Sequence, residues 1–215
     1  MVYPISKRII NPFVRLWISK ISGLENLKKE RSFVFAINHA SFADDLIVPS
    51  IVSRYLDSYV HMYCNDRFYK VYLLRKFLEW GKCIPIRVGG KDDEAKRINK
   101  EAYSKAKEFL KKGEPVGIFP EGHRSLDGSL MKAKNGTAKL AIAAKVPVIP
   151  IGTIGTHEIW PKGKKLPRLR RCELHIGKPI HLNKYYDSGN DKSLEEATRI
   201  IMREIARLAN KSYDY

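Results

Sequence analysis

The 215-residue sequence predicts an α/β domain with a largely parallel central sheet flanked by helices. Three observations lead there. Short apolar runs alternate with longer amphipathic ones along most of the chain. Several short runs are apolar on successive residues, as strands covered on both faces must be. The long runs carry helix start and stop signals.

Residues 32–37, 59–64, 83–88, 115–119, 146–152 and 171–177 read as strands. A helix is expected from about Ala43, after the polar turn that follows Ile37. A second covers the stretch beginning at Asp92, with acids at its start, lysines at its end and Gly113 as its stop. "NGTAKLAIAAKV" (135–146) reads as a short buried helix. The last, starting at Ser193, has Ser193 and Glu196 at capping-box spacing. The N-terminal segment is separate in character. "NPFVRLWISKIS" (11–22) reads as an amphipathic helix with Asn11 as cap and Pro12 at its first position. Phe13, Leu16, Trp17 and Ile21 fall at helical spacing, opposite Arg15, Ser19 and Ser22. Such a stripe packs on a core or, flanked by Lys7, Arg8, Arg15 and Lys20, lies in a membrane interface.

Composition narrows the class. Hydrophobic residues at 44% and charged residues at 29% describe a folded globular chain. Forty Lys and Arg against 23 acids give a net charge of +17, which calls for an anionic partner: nucleic acid, an anionic membrane surface or a phosphorylated substrate. Cys64, Cys83 and Cys172 are odd in number and scattered, so neither a disulfide framework nor a zinc site is expected. No uncharged apolar run reaches the roughly 20 residues that span a bilayer, and Arg15 and Lys20 interrupt any secretory leader. The expectation is an intracellular chain, soluble or peripheral.

Four blocks lie at predicted strand ends, where α/β sheets place their sites. The first is "INHASFADD" (37–45). His39 and Asp44, five apart, would point about 140° away from each other on one helix. They meet only if His39 lies in the turn and Asp44 on the first helical turn. A carboxylate there fixes the imidazole tautomer and leaves the other nitrogen as a base. Acidic residues stabilising a helix N-terminus explain the same spacing. The second block, "FPEGHRS" (119–125), has a tight turn at Pro120 and Gly122, with Glu121 and Arg124 as a charge pair. Arg124 suits a phosphate; a surface ion pair is the other reading. Arg87 ends the third block, and Lys132, Lys134 and Gly136 make the fourth. Nucleophile-elbow, phosphate-loop, dinucleotide and zinc-protease motifs are absent.

Taken in order, these blocks resemble the glycerolipid acyltransferase family, most closely its 1-acyl-sn-glycerol-3-phosphate acyltransferases. Asn38, His39 and Asp44 are similar to the family's Asn-His-x4-Asp motif, and "GKCIPIR" to its second. "FPEGHRS" matches the third in six of seven positions, with His123 in place of threonine. "VPVIP" (146–150) matches the fourth. The resemblance spans about residues 23–152.

It implies that His39 deprotonates the free hydroxyl of lysophosphatidate for direct attack on an acyl thioester, with Asp44 orienting it. Phosphatidic acid is the product, with no enzyme nucleophile, metal or prosthetic group. Arg87, Glu121, Gly122 and Arg124 are expected to bind or position the acceptor phosphate, with Ser125, Lys132 and Lys134 as further candidates for that pocket or for the donor's phosphates. The donor is acyl-CoA or acyl-carrier protein. A bilayer-borne acceptor favours an interfacial role for residues 1–22, with 23–215 as the α/β acyltransferase domain. That makes a peripheral enzyme on the cytoplasmic face of an anionic membrane. Trp17, Trp80 and Trp160 either line an acyl tunnel or, as the favoured reading, pack in the core or an interface. Relatives acting on glycerol 3-phosphate or another lysolipid are the near rival; a nucleic-acid-binding protein lacks its aromatic-glycine, zinc or helix-turn-helix signatures.

Overall fold

The computed structural model describes residues 11–187 and 190–215. Seven strands form one sheet in the order β1-β7-β6-β2-β5-β3-β4. They are β1 (Ile18–Ser22), β2 (Val34–Ile37), β3 (His61–Asn65), β4 (Ile84–Ile86), β5 (Val116–Ile118), β6 (Val148–Ile154) and β7 (Cys172–Ile176). From β6 to β4 all pairings are parallel; β7 returns antiparallel to β6, and β1 pairs parallel with β7. Five carboxyl ends therefore share one edge. That edge carries the site.

Alternation along β2 explains the two layers. Val34 and Ala36 face one apolar cluster, where Ala106, Leu110, Leu140, Ile201 and Ile205 cover the sheet. These come from α4 (Asp93–Lys111), α5 (Gly136–Ala144) and α7 (Asp191–Leu208). Phe35 and Ile37 face the other, filled by Ile47, Val48 and Ile51 of α2 (Phe42–Leu56). Every residue of β2 is buried, as its uninterrupted apolar run requires.

Local capping sets the helix limits. Asp92 accepts from the Ala95 amide to start α4, and Gly113, at φ 81°, follows its end. The start of α7 corrects the expected capping box. Asn190, not Ser193, is the cap, and its Oδ1 accepts from the Ser193 amide at 2.9 Å. Three elements escaped the sequence reading: β1, the nine-residue α3 (Tyr72–Trp80) and the four-residue α6 (Thr156–Ile159).

The N-terminal segment differs from the expected helix over 11–22. Helix α1 covers only Asn11–Leu16, and residues 18–22 add a strand to the sheet. The Cys172 amide donates to the Trp17 carbonyl at 2.7 Å, and Ser19 Oγ donates to the Cys172 carbonyl at 2.9 Å. Edge pairing with β7 satisfies this backbone in place of helical bonds. The expected single stripe is divided. Phe13 and Leu16 are exposed, whereas Trp17 and Ile21 pack against the core. Lys7 and Arg8 lie outside the described residues.

This division predicts unequal effects. Trp17→Ser should destabilise the fold by about 1–3 kcal/mol through lost packing, and Phe13→Ser should stay within about 0.5 kcal/mol. Denaturant unfolding of the two single variants checks it.

Candidate active site

The turn between β2 and α2 builds the centre. Asp44 stands at the third helical position after its cap, Ser41, and its side chain is fully buried. Its Oδ2 accepts from the Ala40 and Ser41 amides, each at 2.8 Å, and lies 3.4 Å from His39 Nδ1. Its Oδ1 accepts from Thr153 Oγ1 at 3.2 Å. Helix capping and histidine orientation, the two readings of the spacing, are thus one arrangement. The imidazole stacks on Phe119, ring centroids 3.8 Å apart and planes 17° apart. With its Nδ1 proton toward Asp44, the ring keeps Nε2 free to accept one.

Two strand ends brace this turn. Asn38 exchanges bonds with the Thr153 backbone, donating Nδ2 to the carbonyl at 3.1 Å and accepting from the amide at 2.7 Å. That pair extends the β2–β6 ladder by a side chain. Neither residue stood among the expected site members, although Asn38 precedes His39 in the motif. Thr153, three residues beyond "VPVIP", offered no sequence signal.

Glu121 takes the positioning half of its expected role. It is fully buried; Oε1 accepts from the His39 amide and Oε2 from the Met131 amide, both at 2.8 Å. Burial pushes its carboxyl up to about 7, against the opposing pull of those two amides. Ser125 also turns inward: its Oγ donates to Asp127 at 2.8 Å and accepts from the Gly128 amide at 3.0 Å. Arg87 is taken by acids, with Nη2 2.6 Å from Asp66 and Nη1 2.6 Å from Glu94. These three side chains tie loops together and do not converge on one open point.

Arg124 is placed otherwise. Its guanidinium lies 3.3 Å above the centre of the Phe42 ring, a cation–π arrangement. Its Nη1 is buried and lacks a hydrogen-bond partner among the described residues. A buried orphan donor of this kind costs about 1–3 kcal/mol until a ligand satisfies it. Beside it, Asp45 is pushed up to about 6 by burial, with Asp44 adding to the rise and His39 and Arg124 opposing it. Gly122 adopts φ 75°, and the Lys134 stem runs past its Cα. Lys132 and Lys134 are exposed.

A cavity of about 660 Å³ opens from this group, within the usual range for small-molecule sites. His39, Phe119, His123 and Arg124 stand at one part of its wall. Val60, Met62, Leu74, Leu78 and Ile118 line an apolar remainder. Trp80 and Trp160 also line it, the less favoured of their two expected roles, while Trp160 and Trp17 both pack against the core. Among the described residues no cluster of His, Cys, Asp or Glu is arranged to hold a metal ion.

The pattern of the Acyltransferase family matches residues 18–154, from β1 to the end of β6. The chain belongs to the acyltransferase family. It is 29% identical to a chloroplast 1-acyl-sn-glycerol-3-phosphate acyltransferase of Arabidopsis thaliana over 81% of this chain and 46% of that one. A Bacillus subtilis protein of the same activity name is 24% identical, over 89% of this chain and 88% of that one. The solved 1-acyl-sn-glycerophosphate acyltransferase of Thermotoga maritima superposes with a TM-score of 0.71 at 22% identity, covering 96% of this chain and 81% of that one. This last likeness shows the α/β fold. The chain spans about half the length of the plant relatives.

The buried Glu121 predicts a pH signature. Its folded pKa is raised above the ordinary carboxylate value, so the folded state holds the proton over a wider range. The corresponding stability is present at low pH and is lost as pH rises from about 4.5 to about 7. Glu121→Gln removes that dependence. The stability difference, wild type minus variant, should therefore fall between pH 5 and pH 8 in urea unfolding.

Proposed function

We propose that the protein transfers an acyl group from acyl-CoA or acyl-carrier protein to the free hydroxyl of 1-acyl-sn-glycerol 3-phosphate, giving phosphatidic acid. One observation carries this reading: His39, backed by the buried Asp44, and Arg124, with its unsatisfied donor, line one largely apolar cavity. A base, an anion contact and room for hydrocarbon are the needs of this reaction.

In this reading His39 Nε2 takes the hydroxyl proton as the oxygen attacks the thioester carbonyl. The carbon–sulfur bond then breaks, and the imidazolium returns the proton to the departing thiolate. Asp44 holds the tautomer and favours the imidazolium; its 3.4 Å separation from Nδ1 shortens as positive charge develops. Arg124 binds the acceptor phosphate, aided by the exposed amine of Lys134 and the Gly122 turn. Arg87, Glu121 and Ser125 act behind that contact by holding its loops. No prosthetic group takes part in these steps.

The relatives bearing the name 1-acyl-sn-glycerol-3-phosphate acyltransferase support this acceptor. The net charge of +17 suits an anionic membrane surface, and no described helix is long and apolar enough to cross a bilayer. We place the protein at the cytoplasmic face as a peripheral enzyme, with residues 1–22 contributing to attachment.

Incubation with labelled acyl-CoA and a panel of lysolipids, followed by product separation, tests reaction and acceptor together. Lysophosphatidate should be used best. His39→Ala should retain the fold and lower turnover by about 10²–10⁴, the usual worth of a positioned base. Turnover near wild type would remove the mechanism. Arg124→Ala should weaken lysophosphatidate use by roughly tenfold or more while the KM for the thioester changes little. A loss confined to the thioester would move Arg124 to the donor.

A further inference from the structure

Helix α3 connects β3 to β4 across the cavity, and Leu78 is its one buried residue. Leu74, Phe77, Leu78 and Trp80 form part of the cavity wall. Beyond the cavity wall this segment exposes further apolar side chains. Val71, Tyr72 and Leu73 are 58%, 69% and 79% exposed, and Phe77 and Trp80 reach both the cavity and the surface. A consecutive exposed Val-Tyr-Leu run is uncommon on a water-facing helix and marks a surface that something covers.

The charges around it say what. Arg67, Lys70, Arg75, Lys76 and Lys82 lie on or beside the helix. Glu79 is its sole acid, lying 2.7 Å from Arg75 and 3.9 Å from Lys76. The neighbouring Asp66 is held by Arg87. Apolar side chains at the centre with cations at the margins complement a bilayer whose headgroups are anionic. The cavity continues directly beneath. Tails of lipids in such a bilayer would meet the outer face of the same thin wall whose inner face lines the cavity.

We propose that α3 is the membrane-docking element of this protein: Val71, Tyr72 and Leu73 insert among the lipids of an anionic bilayer and seat the cavity on it. This rests on the membrane-surface reading above and names a surface in the middle of the chain as the one that dominates attachment, ahead of the N-terminal segment.

The test compares the full chain with Tyr72→Gln/Leu73→Gln and with Phe13→Ser/Leu16→Ser in sedimentation with vesicles of phosphatidylcholine and phosphatidylglycerol. Neither Tyr72 nor Leu73 lines the cavity, so melting temperature and turnover on a short-chain, water-soluble acceptor should be retained. Vesicle partitioning of the α3 variant should fall tenfold or more. Unchanged partitioning, or a loss confined to the Phe13/Leu16 variant, overturns the proposal. A second readout survives misfolding of the double variant: Leu73→Trp should blue-shift its emission on adding the vesicles and be quenched by brominated lipid. An unshifted emission overturns it as well. Turnover on the soluble acceptor reports the enzymatic reading independently. Active protein that ignores vesicles refutes the docking alone; vesicle binding through α3 without any acyl transfer refutes the reaction alone.

Discussion

The site depends on the buried Asp44 carboxylate at the N-terminus of α2. It receives two backbone amides, the Thr153 hydroxyl and the His39 ring, so a single group closes a turn, starts a helix and aims a base. Its burial is tolerable because each oxygen has donors and because the positive end of α2 faces it. The α/β architecture makes this possible. A parallel strand must deliver the chain to a helix above the sheet edge, and the amides left over at that helix start gather around one acid. The position of His39 is therefore fixed by the same bonds that fold the turn.

Charged groups near the cavity divide by what satisfies them. Glu121 and Arg87 are answered from within the protein, one by amides from two loops and the other by two acids. Their contribution is to spacing between strand ends. Arg124 is incompletely answered, and its stacking on Phe42 fixes the plane of the guanidinium without supplying an acceptor. Two of three motif charges thus build the frame, and the third stays available to an anion. Motif membership alone does not distinguish these duties; hydrogen-bond satisfaction does.

Much of the frame was legible in the sequence because its signals are local. Apolar runs marked six strands, and the cap at Asp92 and the stop at Gly113 marked α4. The meeting of His39 with Asp44 followed from helical geometry. What was hidden depends on distant partners. Ile18–Ser22 has a helix-compatible pattern and became a strand because β7 presents an open edge to it. Thr153 joined the site through residues 109 and 115 positions away. Glu121 and Arg124 read as an ion pair because spacing places them close, yet on either side of the Gly122 turn (φ 75°) one is buried and the other lines the cavity. Helix α3 was left unread although its pattern is as amphipathic as that of α7; it differs in that its apolar face stays largely exposed, with only Leu78 buried.

That last feature separates α3 from the other helices. In α4 and α7 the apolar residues turn to the sheet and the charges to water, the pattern of a helix that needs only its own protein. In α3 the apolar face is divided between the cavity, which Leu74, Phe77, Leu78 and Trp80 line, and the surface, where Leu73 is 79% exposed. The fold gains little from such a helix, since only Leu78 is buried. An acyl-transfer site gains more: its substrates carry hydrocarbon that water excludes, and a cavity sealed from lipid on every side would force that hydrocarbon through water. On the reading proposed above, an apolar face shared by the cavity and the surface gives that hydrocarbon a route that avoids water.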